Sequence, residues 1–221
     1  MAMFQTLDLT RTLRRLPVPA RASSREARTR EEALAAIERD ALAAPAFCFR
    51  ILPVRSVRGD AIDLGEAILD VPLLAAQPGE LIAVAAVACT LGPGFQQRIS
   101  QLFAARRPSL ALALDAVGNE LLFRVADRGL AAVRREARRE GLGVGPEASP
   151  GDPGVPLNQQ ATVCALADAA HNGITASHDG MLWPVHSLAT LVALGRNLPR
   201  HSASARCNRC PSANRCAIRT N

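Results

Sequence analysis

An α+β fold with a cysteine-bearing C-terminal tail is the class this sequence predicts, and three observations predict it. Leu81 to Cys89 is continuously apolar and bounded by turn residues, as in a strand buried inside a sheet. Leu110 to Arg139 repeats its apolar residues at helical spacing: Leu114, Val117, Leu121 and Val125, then Ala126, Leu130 and Val133. Beyond residue 200 the chain turns arginine-rich and carries Cys207, Cys210 and Cys216. The expected organisation is an N-terminal arm over 1–28, an α+β domain over 29–200 and a cysteine tail over 201–221.

Met1 to Arg15 is compatible with a short strand or helix, and 21–30 reads as a charged Ser/Arg linker. Thr29-Arg30-Glu31-Glu32 fits a capping box, in which hydroxyl and carboxylate each close a free backbone N–H. It predicts a surface helix running to about Ala44, before Pro45. Phe47 to Val54 alternates as a strand, and Ala61 to Leu64 is its expected hairpin partner across Arg58-Gly59-Asp60. Ile68 to Ala76 fits no single pattern, and Gln77-Pro78-Gly79 is a turn. Gly92-Pro93-Gly94 is a turn leading into a helix over Phe95 to Ala105. Leu157 to Ala170 predicts another helix, with Pro156 at its start, Ala161, Cys164, Leu166 and Ala169 inward, and His171-Asn172-Gly173 as its stop. Ile174 to Leu182 reads as irregular, and His186 to Gly195 as the final strand.

Between the long helix and the next lies Gly141 to Pro156, with five glycines and four prolines in sixteen residues. Such steps forbid helix continuation. Glycines such as Gly151 and Gly154 let a ligand approach the backbone closely. Long loops inside compact domains are commonly functional, so this stretch is expected to be a site-bearing loop, with everything after it a second arm.

All 26 basic residues are arginine, and the chain has no tyrosine. The absence of lysine excludes a Walker A phosphate loop and a Schiff-base lysine. The net charge of +6 resides in the six arginines after Asp179. With 3% aromatic residues, stacking platforms for single strands are scarce, which argues against nucleic acid as a partner. No apolar run reaches the length of a membrane span, and Met1 to Pro17 lacks the basic-then-apolar order of a signal peptide. The chain is therefore expected to be cytoplasmic, with no membrane partner.

The strongest local chemical signal is Cys207-x2-Cys210-x5-Cys216. A two-residue gap lets two sulfurs of one turn face a single ion, and neighbouring arginines favour the thiolate. His201, solvent or a partner would complete a zinc site or a 4Fe-4S cluster; a redox pair and the absence of any special role stay open. Cys48 and Cys164 fall on apolar faces and read as small core hydrophobes. No Gly-x-Ser-x-Gly elbow exists. His178 and Asp179 are adjacent in a loop, a weak acid/base pattern. Asp127 is at the polar edge of the long helix.

Several separated motifs together resemble one family. Ser149-Pro150-Gly151-x4-Pro156-Leu157-x2-Gln160 is followed by Gly173 and by Met181-x2-Pro184-x2-Ser187. Upstream stand Thr90-Leu91-Gly92, Asp115-x2-Gly118 and Asp127, and downstream the cysteine tail. Over about Leu81 to Arg219 this is similar to the activation domain of vitamin B12-dependent methionine synthase, in a small stand-alone form. The resemblance implies a twisted antiparallel sheet flanked by helices. It implies S-adenosylmethionine bound at a Pro-Gly loop, here Ser149, Pro150, Gly151 and Asp152, with Asp127 and His178 nearby. It also implies docking on a corrinoid-binding methyltransferase or methionine synthase. There the module supports reductive remethylation of the partner's cobalamin, with electrons from a flavodoxin-type reductant. This sequence departs from the family pattern at Glu147, where an arginine is common, and at Asp152, where a tyrosine is common. Phe123 replaces an acid, and Ser177-His178-Asp179 replaces Thr-Glu-Ser. The alternative expectation is a partner-binding or metal-carrying module on the same scaffold, without S-adenosylmethionine.

Overall fold

The computed structural model describes residues 2–13, 16 and 23–199. Its elements are β1 (Met3–Thr6), α1 (Leu9–Leu13), α2 (Ser24–Arg39), β2 (Ala46–Pro53), β3 (Ser56–Arg58), β4 (Ala61–Asp63), β5 (Ile68–Asp70), α3 (Pro72–Ala75) and β6 (Glu80–Thr90). They continue with α4 (Gly94–Ala104), α5 (Pro108–Arg139), β7 (Gly143–Ala148), α6 (Gln160–Leu166), β8 (Thr175–Ala176), β9 (Leu182–Trp183) and β10 (Ser187–Arg196). Residues 201–221, with Cys207, Cys210 and Cys216, lie outside the described residues.

The fold is α+β, built on a twisted five-stranded sheet in the order β1-β2-β6-β10-β7. Every pairing in it is antiparallel. The Leu81 to Cys89 run is apolar throughout because both faces of β6 are covered. Ala83, Ala85, Val87 and Cys89 face the layer of α2, α4 and α5. Val84, Ala86 and Ala88 face Val163, Cys164 and Leu166 of α6 and the small sheet β3-β4-β5. In β2, Phe47 and Phe49 join the first layer and Cys48 the second. The helical spacing in α5 does the matching work: Leu114, Leu121, Val125 and Val133 are fully buried against the sheet. Gly129 allows this close seating, since a Cβ there would lie 3.3 Å from Val87.

Helix α2 begins earlier than the Thr29 box predicts. Ser23 and Glu26 form the capping box: the Glu26 N–H donates to Ser23 Oγ at 3.3 Å, and the Ser23 N–H donates to Glu26 Oε2 at 2.8 Å. Once the helix starts there, Thr29 is interior, and its hydroxyl donates to the Arg25 carbonyl at 2.9 Å. The expected linker over 21–30 is therefore helical from Ser24. The helix also stops sooner than Ala44, because Ala41 takes a left-handed φ of 47°. Arg30 ties it to α5 through a bidentate pair with Glu120 at 2.6–2.8 Å, both side chains about one-seventh exposed.

Further expectations need correction. Strand β4 pairs with β3, not with β2: Arg58 opposes Ala61 across the turn, while β2 has already ended at Pro53. Six of the sixteen residues of the glycine–proline stretch are strand, since β7 pairs with β10 at Ala148↔Leu191 and Gly143↔Gly195. Its glycine content serves close packing: a Cβ at Gly145 would meet Leu198 at 3.0 Å and Ala193 at 3.2 Å. Pro146 is tolerated because β7 is an edge strand. The chain beyond this stretch is not a separate arm, because β10 returns between β6 and β7. Finally, the helix expected over Leu157 to Ala170 is broken. A 3-10 turn at Leu157–Gln159 leads into α6, and Asp168 with φ 58° separates α6 from a second turn at Ala169–Asn172. In this arrangement Ala161 is exposed, while Cys164, Leu166 and Ala169 are buried as expected. Ile174 to Leu182 is more regular than expected, closing as the β8–β9 hairpin.

The orientation of α5 generates a paired prediction. Leu121→Ala empties a fully buried site, whereas Leu112 is 62% exposed on the same helix. Urea unfolding should show a loss of about 2–5 kcal/mol for Leu121→Ala and within about 0.5 kcal/mol for Leu112→Ala.

Candidate functional site

The chain leaves β7 at Ala148 and folds at once into a braced turn. The Ser149 N–H donates to Asp152 Oδ2 at 2.8 Å, and the Asp152 N–H donates back to the Ser149 carbonyl at 2.9 Å. The Gly151 N–H reaches the Val155 carbonyl at 3.0 Å, and the Val155 N–H the Asp152 carbonyl at 2.9 Å. The Asp152 carboxylate thus braces the turn by reaching back three residues to the Ser149 N–H. Val155 and Pro150 are buried and anchor it, leaving Gly151 and Asp152 exposed at its tip. Gly151 holds φ 92°, and a Cβ there would meet only Leu157, at 3.5 Å. The tip is thus approachable along its backbone.

Leu157 joins this turn to the β8–β9 hairpin. Its backbone runs so close under Gly180 that a Cβ there would lie 2.6 Å from the Leu157 carbonyl. The hairpin loop is closed by Ser177 N–H to Met181 O at 2.8 Å and Met181 N–H to Ser177 Oγ at 3.0 Å. His178 and Asp179 stand at its tip, 3.5 Å apart and almost wholly in solvent. Exposed Leu157, Met181, Trp183 and Val185 give this end of the molecule its apolar surface.

The structure brings together some of the expected residues and separates others. Ser149, Pro150, Gly151 and Asp152 form one turn, and His178 stands in the hairpin that touches it through Leu157. Asp127 is elsewhere: α5 packs on the sheet face opposite the one that receives Val155 and Val163, and Asp127 lies 3.7 Å from Arg124 of its own helix. Glu147 is buried in β7, 2% exposed, just before the turn. Among the described residues no group of three or more His, Cys, Asp or Glu side chains is placed to hold a metal. No described helix is long and apolar enough to cross a membrane. A shallow polar groove of about 550 Å³, lined by Arg39, Asp40, Gln97, Arg98 and others, contains none of the expected site residues.

A second cluster carries no local chemical signature in the sequence. His186, the residue before β10, is 3% exposed, its ring set against Phe95 with centroids 5.1 Å apart. Its Nε2 lies 3.4 Å from Asp115 Oδ1, and the Asp115 backbone is a second polar neighbour of the ring. Burial pushes its pKa below the ordinary histidine value, with Asp115 opposing. Gly118 makes the slot, since a Cβ there would lie 2.7 Å from Nε2. The Asp115-x2-Gly118 spacing is the available signal; nothing local marks His186 as buried.

Cys48 and Cys164 are buried, as expected of core thiols, and burial pushes both up to about 11.

A crystal structure of the MetH reactivation domain bound to AdoHcy is similar to this fold, with a TM-score of 0.68 at 14% sequence identity, over 91% of this chain and 81% of that one. No protein-family model matches the sequence, and no curated protein does. The likeness to the MetH domain is one of fold.

The raised thiol pKa values set a labelling prediction. At pH 8 a group titrating near 11 is only about 0.1% thiolate, and the thiolate is the nucleophile. Iodoacetamide on the native protein, read by peptide mass spectrometry, should leave Cys48 and Cys164 unmodified, and both should label fully in denaturant.

Proposed function

We propose that this chain is an accessory, reactivation-type subunit for a cobalamin-dependent methyltransferase of the methionine synthase kind. It supports reductive remethylation of the partner's cobalamin with S-adenosylmethionine, the electrons coming from a flavodoxin-type reductant. One observation carries the reading. The motif that bears the family resemblance, Ser149 to Asp152, folds as an exposed braced turn. It does so within a fold similar to a domain crystallised with AdoHcy.

The residues fit the cationic part of such a ligand. Asp152 exposes a carboxylate at the tip of the turn, suited to a sulfonium or ammonium. Gly151 leaves its backbone open to close approach. S-adenosylmethionine, when bound, supplies the methyl group. The chain's own part is to orient it: Asp152 holds the charge, and the Ser149 N–H fixes Asp152.

Isothermal titration calorimetry with S-adenosylmethionine tests this. The wild type should give saturable heat at or below millimolar ligand. Asp152→Asn keeps the turn's acceptor but removes the charge, and should bind about tenfold more weakly, the equivalent of about 1.4 kcal/mol. No heat at millimolar ligand would remove S-adenosylmethionine from the proposal.

Glu147 favours a second reading. A buried acid stands where the resemblance expects an arginine for the ligand's carboxylate. On this reading the scaffold binds a corrinoid protein without S-adenosylmethionine and carries a metal or iron–sulfur cluster on Cys207, Cys210 and Cys216, for which the spacing is the support. Metal analysis after anaerobic purification should then find zinc or iron in the wild type, reduced at least severalfold in Cys210→Ser. A metal-free wild type would rule the cluster out.

A further inference from the structure

We propose that the outward stripe Met181, Trp183 and Val185, with Leu157 beside it, is the docking face for the cobalamin-binding partner, and that the partner meets it with an apolar centre and a basic rim. The inference rests on the methyl-donor role proposed above and adds the surface through which the partner is reached.

Residues 181–186 alternate between solvent and core. Leu182 packs against the α6 side of the core, and Pro184 and His186 are buried. Met181, Trp183 and Val185 point the other way, at 63%, 50% and 47% exposure. A segment with one covered face ordinarily carries polar residues on the open one. Here the open face is apolar as well. Leu157 extends it, because a Cβ at Gly180 would lie 2.7 Å from Leu157 Cγ, and Leu157 is itself 46% exposed. The backbone that presents the stripe is fixed. Trp183 pairs with Thr175 and Leu182 with Ala176, and Met181 exchanges two hydrogen bonds with Ser177 at 2.8 and 3.0 Å. The face is therefore formed before any partner arrives, which leaves little ordering to oppose binding.

Position, charge and size select the occupant. Leu157 joins the stripe to the Ser149–Asp152 turn. A methyl donor at that turn serves a cobalt on another protein only when the reacting atoms come within about 3.5 Å, so that protein must cover the surface around the turn. Residues 141–195 contain no arginine or lysine, although the chain holds 26 arginines. The exposed acids of the turn and the hairpin are Asp152 and Asp179, with His178 at 3.5 Å from Asp179. An acidic rim repels phosphate-bearing surfaces, nucleic acid and anionic lipid alike, and complements a basic one. Four side chains, each about half exposed, offer on the order of 400 Å², against roughly 800 Å² per partner in a lasting interface. That area suits a partner that docks and leaves, and is too small for a permanent second copy of this chain.

Trp183 is the middle residue of the stripe and the only tryptophan of the chain. Tryptophan is among the residue types that dominate interface energetics, and a central position surrounded by other apolar contacts favours it further. Trp183 is the anchor, and Val185 is a neighbour that excludes water around it. Burial of such a face gives binding a negative heat-capacity change.

Isothermal titration calorimetry tests the face, with the cobalamin-loaded cobalamin-binding domain of a methionine synthase as the probe and the full chain as its partner. The wild type should bind the probe with a negative heat-capacity change. Trp183→Thr should weaken binding about tenfold or more and Val185→Thr about threefold, both substitutions keeping a strand-compatible side chain. Neither should alter the heat obtained with S-adenosylmethionine. Met3 is also exposed and apolar but belongs to β1, at the sheet edge two strands away from β10, so Met3→Thr should leave both titrations unchanged. Far-UV circular dichroism checks each fold, and Val185→Thr decides should Trp183→Thr not fold. Equal binding of the probe by the wild type and the stripe variants overturns the face while leaving the proposed function intact, as does an equal loss in Met3→Thr. S-adenosylmethionine binding without any binding of the probe overturns the docking face, whereas absence of both removes the proposed function with it. A wild-type dimer in sedimentation velocity that Trp183→Thr dissolves assigns the stripe to a second copy and overturns the proposal.

Discussion

The pairing of β6 with β10 is the constraint on which the rest of the structure depends. It runs antiparallel from Ser187↔Thr90 to Arg196↔Glu80, in the middle of the sheet. Both strands are buried on both faces, so the pairing is the spine against which two helical layers pack. At its far end a bulge between Leu194 and Gly195 brings the chains so close that any Cβ at Gly195 would collide with the Glu80 carbonyl. At its near end, Thr90 accepts from the Ser187 hydroxyl at 2.8 Å and from the Gly92 N–H at 3.0 Å. That end fixes His186, and on the other side of β10 it fixes β7 and the turn after it.

Much of this is legible in the sequence where a single periodicity rules. The two-faced burial of β6 and the continuous stripe of α5 are written directly in their apolar residues. Where two signals compete, local pattern misleads. The glycines and prolines of 141–156 read as loop, yet Gly145 is there because Ala193 of β10 and Leu198 beyond it crowd the strand. That contact joins residues distant in sequence and leaves no local trace. Thr29 and Ser23 both satisfy a capping pattern, and only the packing of α2 on α5 through Arg30 and Glu120 selects the earlier one.

The candidate site shows the same division. The Ser149–Asp152 turn is recognisable because its bracing is local: an aspartate three residues on closes it. Placing Asp127 beside it requires knowing which sheet face α5 covers, and α5 covers the opposite one. His186 reads as one more residue of a strand, because only Gly118, far away in sequence, records the space its ring needs.

We propose that this turn receives a cationic methyl donor on a scaffold that serves a partner's cobalamin. The most direct measurement follows backbone amide resonances during titration with S-adenosylmethionine. The account predicts saturable shifts confined to residues 149–157 and the adjoining hairpin at 175–181. Shifts centred elsewhere on the sheet, or none at millimolar ligand, would contradict it.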